Sequence, residues 1–433
     1  MTGSSEPSAL LRLTAREAAQ RIARGELTSE ALVAECLARI EAREPALAAW
    51  SHVDPAQALE QARACDRSPA RGPLHGVPVG IKDIIDTRDQ PTCYGSRAYA
   101  GHLPGEDAAC VAALREGGAV ILGKTVTTEF AGRDPGPTSH PASRIHSPGG
   151  SSSGSAAAVA DHMVPLALGS QTAGSTIRPA SYCGVAAYKP TFGLLSLAGV
   201  GALAERFDTL GLFARDVSDL ATLRDVLLRV AGAATSSVAS EPPRVRVCRT
   251  GLWSEARPET RDALQRAAER LTAAGARVDE LVLPESLDGL RETVWEVVGF
   301  EMARALLPAW RRGPARLRAA TLRMTEAGRA ISLDRHLQNI RRIEADNQHV
   351  SLMLDDTDIV LTPSAVGEAP EGLEDTGPVT FNFLWHVFGM PAVNLPFATG
   401  PNGLPVGIQL VARRHCDDRL LAVSRWAESV LAG

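Results

Sequence analysis

HGVPVGIKD (residues 75–83) has a short apolar run, GGAVILGKT (117–125) is dense in Val, Ile and Leu, and between them DAACVAALREGG (107–118) reads as a helix with a glycine stop. A strand with one face in water alternates apolar and polar residues, so dense Val/Ile/Leu character marks burial on both faces. Such strands need helices above and below them, which restricts the chain to an α/β fold.

The alternation continues downstream. MVPLALGSQ (163–171) and DIVLTPSAV (358–366) read as buried strands, and PRVRVCRT, PETRDALQRAAERLTAAG and ARVDELVLP form a βαβ unit within 243–284. PAVNLPFATGPNGLPVGIQLVA (391–412) is a hairpin turning at Gly400–Gly403. Ahead of the sheet, Thr14 and Glu17 make a capping box for AREAAQRIARG. Thr28 or Ser29 opens a second helix whose stripe is Leu32, Val33, Cys36, Leu37 and Ile40. Residues 284–350 look mostly helical and carry Trp295, Phe300, Met302 and Trp310, which face either a substrate or the core. Residues 133–155 are rich in Pro, Gly and Ser and read locally as a mobile loop, followed by a helix from Ser155. No long polar linker divides the chain, so one domain over 1–433 is expected.

Composition narrows the function. A formal net charge of −5 argues against a nucleic-acid partner or an anionic membrane surface. The seven cysteines are dispersed, odd in number and without a CxxC pair, which fits reduced thiols and a cytoplasmic location. The amino-terminal stretch shows no signal pattern, and no segment is apolar enough to span a membrane. No His/Cys/Asp cluster has ligand spacing, so no metal is expected.

Three glycine-bearing motifs compete as sites. G-G-S-S-S-G at 149–154 approximates a nucleophile elbow, but Arg144–Pro148 before it is no buried strand. Gly199–Ala204 matches a dinucleotide fingerprint without a convincing helix after it. The third reading joins Lys82, Ser151 and Ser175. The serines lie 24 positions apart (175 minus 151), each at the end of a glycine-bearing turn. A serine nucleophile needs a base. Lys82, between Val79-Gly80-Ile81 and Ile84-Ile85, has the apolar flanks that would bury its stem and keep it neutral. His140 and His146 precede the serines and are candidates for a pocket wall or an alternative base.

At these residues the chain resembles the amidase signature family, the Ser–cis-Ser–Lys amide hydrolases, and within it the malonamidase-like branch. GPLHGVPVGIKDIIDT is similar to the family's lysine motif, SPGGSSSGSAAAVA to its serine-glycine signature, and GSQTAGSTIRPASYCGVAAYKPTFG to its nucleophile segment. The resemblance runs on through DTLGLFARDVSDLA to GLPVGIQLVA. It implies a single compact domain with a large mixed β-sheet covered by helices on both faces. N-terminal helices would occupy 1–65, the signature core 74–220, and a divergent, substrate-facing segment 284–375. It also implies Ser175 as nucleophile, Ser151 as a bridging serine in a cis peptide, and Lys82 as base. The backbone N–H groups of Thr172, Ala173, Gly174 and Ser175 would form the oxyanion hole.

Gln171 and Ala173 depart from the Asp and Gly of many members, and Ser153 replaces a common glycine. Arg178 corresponds to an arginine that binds a substrate carboxylate in malonamidase-like relatives, while in others a similar residue serves the fold. The implied activity is hydrolysis of a small linear amide, without metal or organic cofactor. The alternatives are a carbamate or urea-derivative hydrolase with the same triad, an amidotransferase subunit working with partner chains, and a catalytically dead binding protein. The expected partner is the small-molecule amide or carbamate, and a homodimer is the assembly open to the hydrolase.

Overall fold

The structure, a computed structural model, describes residues 6–230, 242–287 and 289–432. The first five residues of the expected N-terminal helical region thus lie outside it. Eleven strands form one sheet: β1 (Trp50–Val53), β2 (Pro78–Lys82), β3 (Val120–Thr125), β4 (Leu166–Gln171), β5 (Ala186–Lys189), β6 (Thr209–Ala214), β7 (Arg244–Val247), β8 (Arg277–Glu280), β9 (Ile359–Pro363), β10 (Ala392–Thr399) and β11 (Pro405–Val411). Their spatial order is β1-β3-β2-β4-β6-β5-β10-β11-β9-β7-β8. The β3-β2-β4 and β9-β7-β8 runs are parallel, and the pairings from β4 through β6, β5, β10 and β11 to β9 are antiparallel. The sheet is therefore mixed, as the resemblance implied.

Period-2 alternation divides the core into two layers. Leu166, Leu168, Leu212, Ile359, Leu361 and Leu410 join one layer with residues of helices Ala109–Glu116, Val217–Leu228, Pro258–Ala273 and Asp417–Leu431. On the opposite face Ala167 and Phe213 pack with helix Ser153–Ala160. Farther along that face Val360 and Val411 meet the helix Leu290–Ala305 and Trp385. β8 is the exception among the sequence-expected strands. It is mostly exposed, because it closes the sheet with one neighbour only.

The capping box is formed as expected, with Thr14 Oγ1 accepting the Glu17 N–H and Glu17 closing on the Thr14 N–H. Thr28, not Ser29, is the cap of helix Ser29–Leu47. The largest departure concerns the Gly/Ser stretch. Residues 146–155 are all buried, and the helix starts at Ser153 rather than Ser155. The residues are small because backbone packs against backbone here. A Cβ on Gly154 would stand 2.1 Å from the Ala49 carbonyl oxygen and 2.4 Å from the Val126 nitrogen. Neither neighbour is the movable end of a side chain. Gly154→Ala should therefore lower stability by about 1–3 kcal/mol, the usual overpacking cost, read as a drop in urea midpoint with unchanged slope. An unshifted midpoint would mean that this contact is loose.

Candidate active site

β2 and β4 run side by side and parallel, so their carboxyl ends open on the same edge of the sheet, where α/β folds commonly place their chemistry. Lys82 ends β2, and its side chain is wholly buried. Lys82 Nζ donates to Ser151 Oγ at 2.7 Å and to Ser170 Oγ, on β4, at 2.8 Å. The Gly150–Ser151 peptide is cis. Burial drives the lysine well below its ordinary pKa, while the Asp208 carboxylate works in the opposite direction.

Backbone and hydroxyl bonds fix the serine loop beside the β4 turn. The Ser152 N–H points to the Ser175 carbonyl at 3.4 Å, and the Thr128 N–H donates to the Ser151 carbonyl at 3.2 Å. Ser152 Oγ donates to the Ser170 carbonyl at 3.1 Å and accepts the Ser170 N–H at 3.2 Å. This approach requires Gly169, where a Cβ would meet Ser152 Oγ at 2.6 Å.

Ser175 stands between β4 and helix Ile177–Cys183, and with Thr172, Ala173 and Arg178 it lines a cavity of about 480 Å³. The N–H groups of Thr172, Ala173, Gly174 and Ser175 have no protein acceptor among the described residues, so they are free to meet a ligand oxygen. Ala173 fits the turn without a positive φ. A larger hollow of about 560 Å³ lies between β8 and helix Pro258–Ala273 and touches none of these residues.

Arg178 is buried on the cavity wall. It donates through Nη2 to the Gly150 carbonyl at 2.5 Å and to Thr376 Oγ1 at 3.0 Å, and through Nη1 to the Gly377 carbonyl. Its Nε has no partner among the described residues. Burial lowers its pKa to about 10, which leaves it charged at neutral pH. Arg133, Arg291, Asp375 and Trp295 complete the polar rim, and the Arg133 guanidinium lies 4.5 Å from the Trp295 ring centroid. Of the four large residues flagged in 284–350, Trp295 alone reaches the cavity. Phe300 and Met302 are buried in the core, and Trp310 stacks under Arg329. His140 and His146 do not line the cavity. His140 faces the Tyr182 carbonyl at 2.8 Å and His146 faces Ser143 Oγ at 2.7 Å.

Three site residues were not singled out from sequence. Ser170 is the second hydroxyl on Lys82, two residues after the Leu168 of an apolar run that gave no hint of it. Asp208 accepts Thr172 Oγ1 at 2.5 Å and the N–H groups of Leu203 and Ala204 at 2.7 and 3.0 Å, and burial raises its pKa to about 6. His386 approaches the Gln171 amide from a helix 215 positions away. None of the three carries a local sequence signal, because the partners that give each its setting are distant in the chain.

An amidase family model matches residues 31–421. The chain belongs to the amidase family. Its curated relatives include a glutamyl-tRNA(Gln) amidotransferase subunit from Chloroflexus aggregans, 33% identical with 95% of each chain covered. The same subunit from Streptomyces coelicolor is 32% identical over 98% of this chain and 96% of the relative. Among solved structures, one described as an amidase superposes with TM-score 0.90 at 30% identity, covering 97% of this chain and 100% of the other. A 6-aminohexanoate cyclic dimer hydrolase with bound substrate gives 0.89 at 25% identity and 98% coverage of both. The peptide amidase of Stenotrophomonas maltophilia gives 0.84 at 26%, covering 98% and 97%. This amidase-family enzyme therefore has the amidase-signature fold as a single compact α/β domain. Among the described residues no helix is long and apolar enough to cross a membrane.

The buried lysine of this amidase-family site has a consequence for stability. Its folded pKa lies below the unfolded value of about 10.4, so between the two the unfolded chain binds more protons and stability falls as pH falls. Lys82→Met should raise the melting temperature, and by more at pH 7 than at pH 10. A loss of stability, or a gain independent of pH, would contradict the burial cost.

Proposed function

We propose that this enzyme hydrolyses a small linear amide through an acyl-enzyme on Ser175. The observation that carries the reading is the wholly buried Lys82, its pKa driven down and its Nζ 2.7 Å from Ser151 Oγ. A lysine held neutral at working pH is a base, and a hydroxyl between it and the nucleophile relays the proton. Neutral Lys82 takes the Ser151 proton as Ser151 takes that of Ser175. Ser175 Oγ then attacks the amide carbonyl. The free N–H groups of Thr172 to Ser175 meet the developing oxyanion, a contribution of about 3–4 kcal/mol per donor. The relay runs back to protonate the leaving amine, and water cleaves the ester by the same route. A carbamate or urea derivative would use the same atoms.

The wall of the cavity carries Arg133, Arg178 and Arg291 against Asp375, which favours an acyl group bearing a carboxylate. Two of the three arginines have protein partners. Arg291 pairs with Glu255 at 3.1 Å, and Arg178 holds the Gly150 and Gly377 carbonyls and the Thr376 hydroxyl. Arg133 has no acidic partner among the described residues. The segment 284–375 contributes Arg291, Trp295 and Asp375 to this wall, in keeping with a substrate-facing role.

A second reading, favoured by the curated relatives, is an amidotransferase subunit that releases ammonia to a partner chain. Purified enzyme alone separates the two, since a stand-alone hydrolase liberates ammonia from short amides without a partner.

Ser175→Ala should abolish hydrolysis, by about a thousandfold or more, together with labelling by a fluorophosphonate. Retained turnover would remove Ser175 from the mechanism. Arg133→Ala should raise KM for half-amides of dicarboxylic acids and leave neutral amides near wild type. Arg178→Ala should impair both substrates. If instead it impairs only the acidic ones, Arg178 itself is the carboxylate ligand.

A further inference from the structure

Gln171 ends β4, and its side-chain oxygen accepts two backbone N–H groups, Thr176 at 2.9 Å and Ile177 at 3.1 Å. The side chain thereby brackets the turn 172–175, closing it from behind into the first turn of helix Ile177–Cys183. Two N–H donors on one atom admit only an acceptor, so the amide orientation is dictated by chemistry: Oε1 faces the turn and the NH2 group faces away. Facing it is His386 Nδ1 at 3.3 Å. An NH2 donor needs a lone pair there, so His386 must be neutral with its proton on Nε2.

The surroundings agree with that state. His386 is buried, and desolvation and the nearby Lys189 ammonium both push its pKa well below the ordinary value. The Phe207 backbone works the other way, although Nε2 has no partner at strict hydrogen-bond geometry. Lys189 donates to the Met390 carbonyl, with Asp417 and Arg414 as its charged neighbours.

We propose that Gln171 and His386 are positioning residues for the Ser175 turn: the Nδ1 lone pair of His386 locks the Gln171 amide, and the amide oxygen holds Ser175 and the N–H groups of the turn in register. This rests on Ser175 as the reacting residue, but the lock is a statement about protonation that stands apart from activity. An acidic side chain at position 171 would cap the turn equally well, yet it would demand a proton on Nδ1. The histidine state and the residue at 171 are thus coupled.

Selective 15N-histidine labelling of the full chain tests the coupling. Wild type should show His386 as the Nε2–H tautomer throughout pH 6–8, and Gln171→Glu should move the proton to Nδ1 or convert the ring to imidazolium. The same tautomer in both proteins would overturn the proposal. Function is read as the rate of fluorophosphonate labelling, which needs no natural substrate. His386→Leu should slow it about tenfold. His386→Asn, whose Oδ1 can accept the same N–H, should stay within about threefold of wild type. Equal slowing in both variants would reduce His386 to a packing residue. If wild type is not labelled at all, the fault lies with Ser175 as nucleophile and the NMR result still decides the lock.

Discussion

A lysine deprived of water at the end of β2 is the constraint around which the site is built. Placing an ammonium there is unfavourable, and the structure supplies no acidic side chain in hydrogen-bond contact with Lys82 Nζ among the described residues; its contacts are the hydroxyls of Ser151 and Ser170. Asp208 acts on it only at longer range, through charge. Stability is sacrificed to hold a basic amine, the kind of local violation expected where a fold carries chemistry. The parallel pairing of β2 with β4 makes this workable, because it brings the lysine and the β4 turn to one edge without a long loop.

Hydroxyls, glycines and one buried guanidinium then assemble the rest. Ser152 ties its loop to β4, and Gly169 permits the approach. Arg178 ties Gly150 to Thr376 and Gly377, so one side chain joins the serine loop to the cavity rim. A loop anchored at so many backbone points holds its side chains in one geometry, which a proton relay over short distances requires.

The sheet and its helices were legible because their periods are strong: two-sided apolar runs at β2, β3, β4 and β9, and capped amphipathic helices at Thr14 and Thr28. The candidates Lys82, Ser151 and Ser175 stand in local motifs, and the structure sets Lys82 on Ser151 and Ser175 on the cavity wall. The burial of 146–155 was not, since Gly and Ser in series read as a spacer unless the opposing backbone is known. Ser170, Asp208 and His386 were invisible for a related reason. Each acquires its setting from partners brought near by the topology, and a single polar residue inside an apolar run looks the same whether it faces a base or a backbone.

The sheet contains three wholly buried lysines, and they differ in the partners that burial leaves them. Lys124 donates to the Ile85 carbonyl and to the hydroxyls of Thr87 and Thr92, and burial takes its pKa to about 8. Lys189 donates to the Met390 carbonyl, feels Asp417, and sits at about 7. A carbonyl can only accept, so it keeps its bond to the amine in either form but cannot pass a proton to it. Lys82 has two hydroxyl partners and no carbonyl. A hydroxyl can turn its bond around, accepting from an ammonium and donating to an amine. Burial disfavours the ammonium at all three lysines, and Lys82 is the one whose partners are serine hydroxyls alone, groups that can both take a proton from the amine and give one to it.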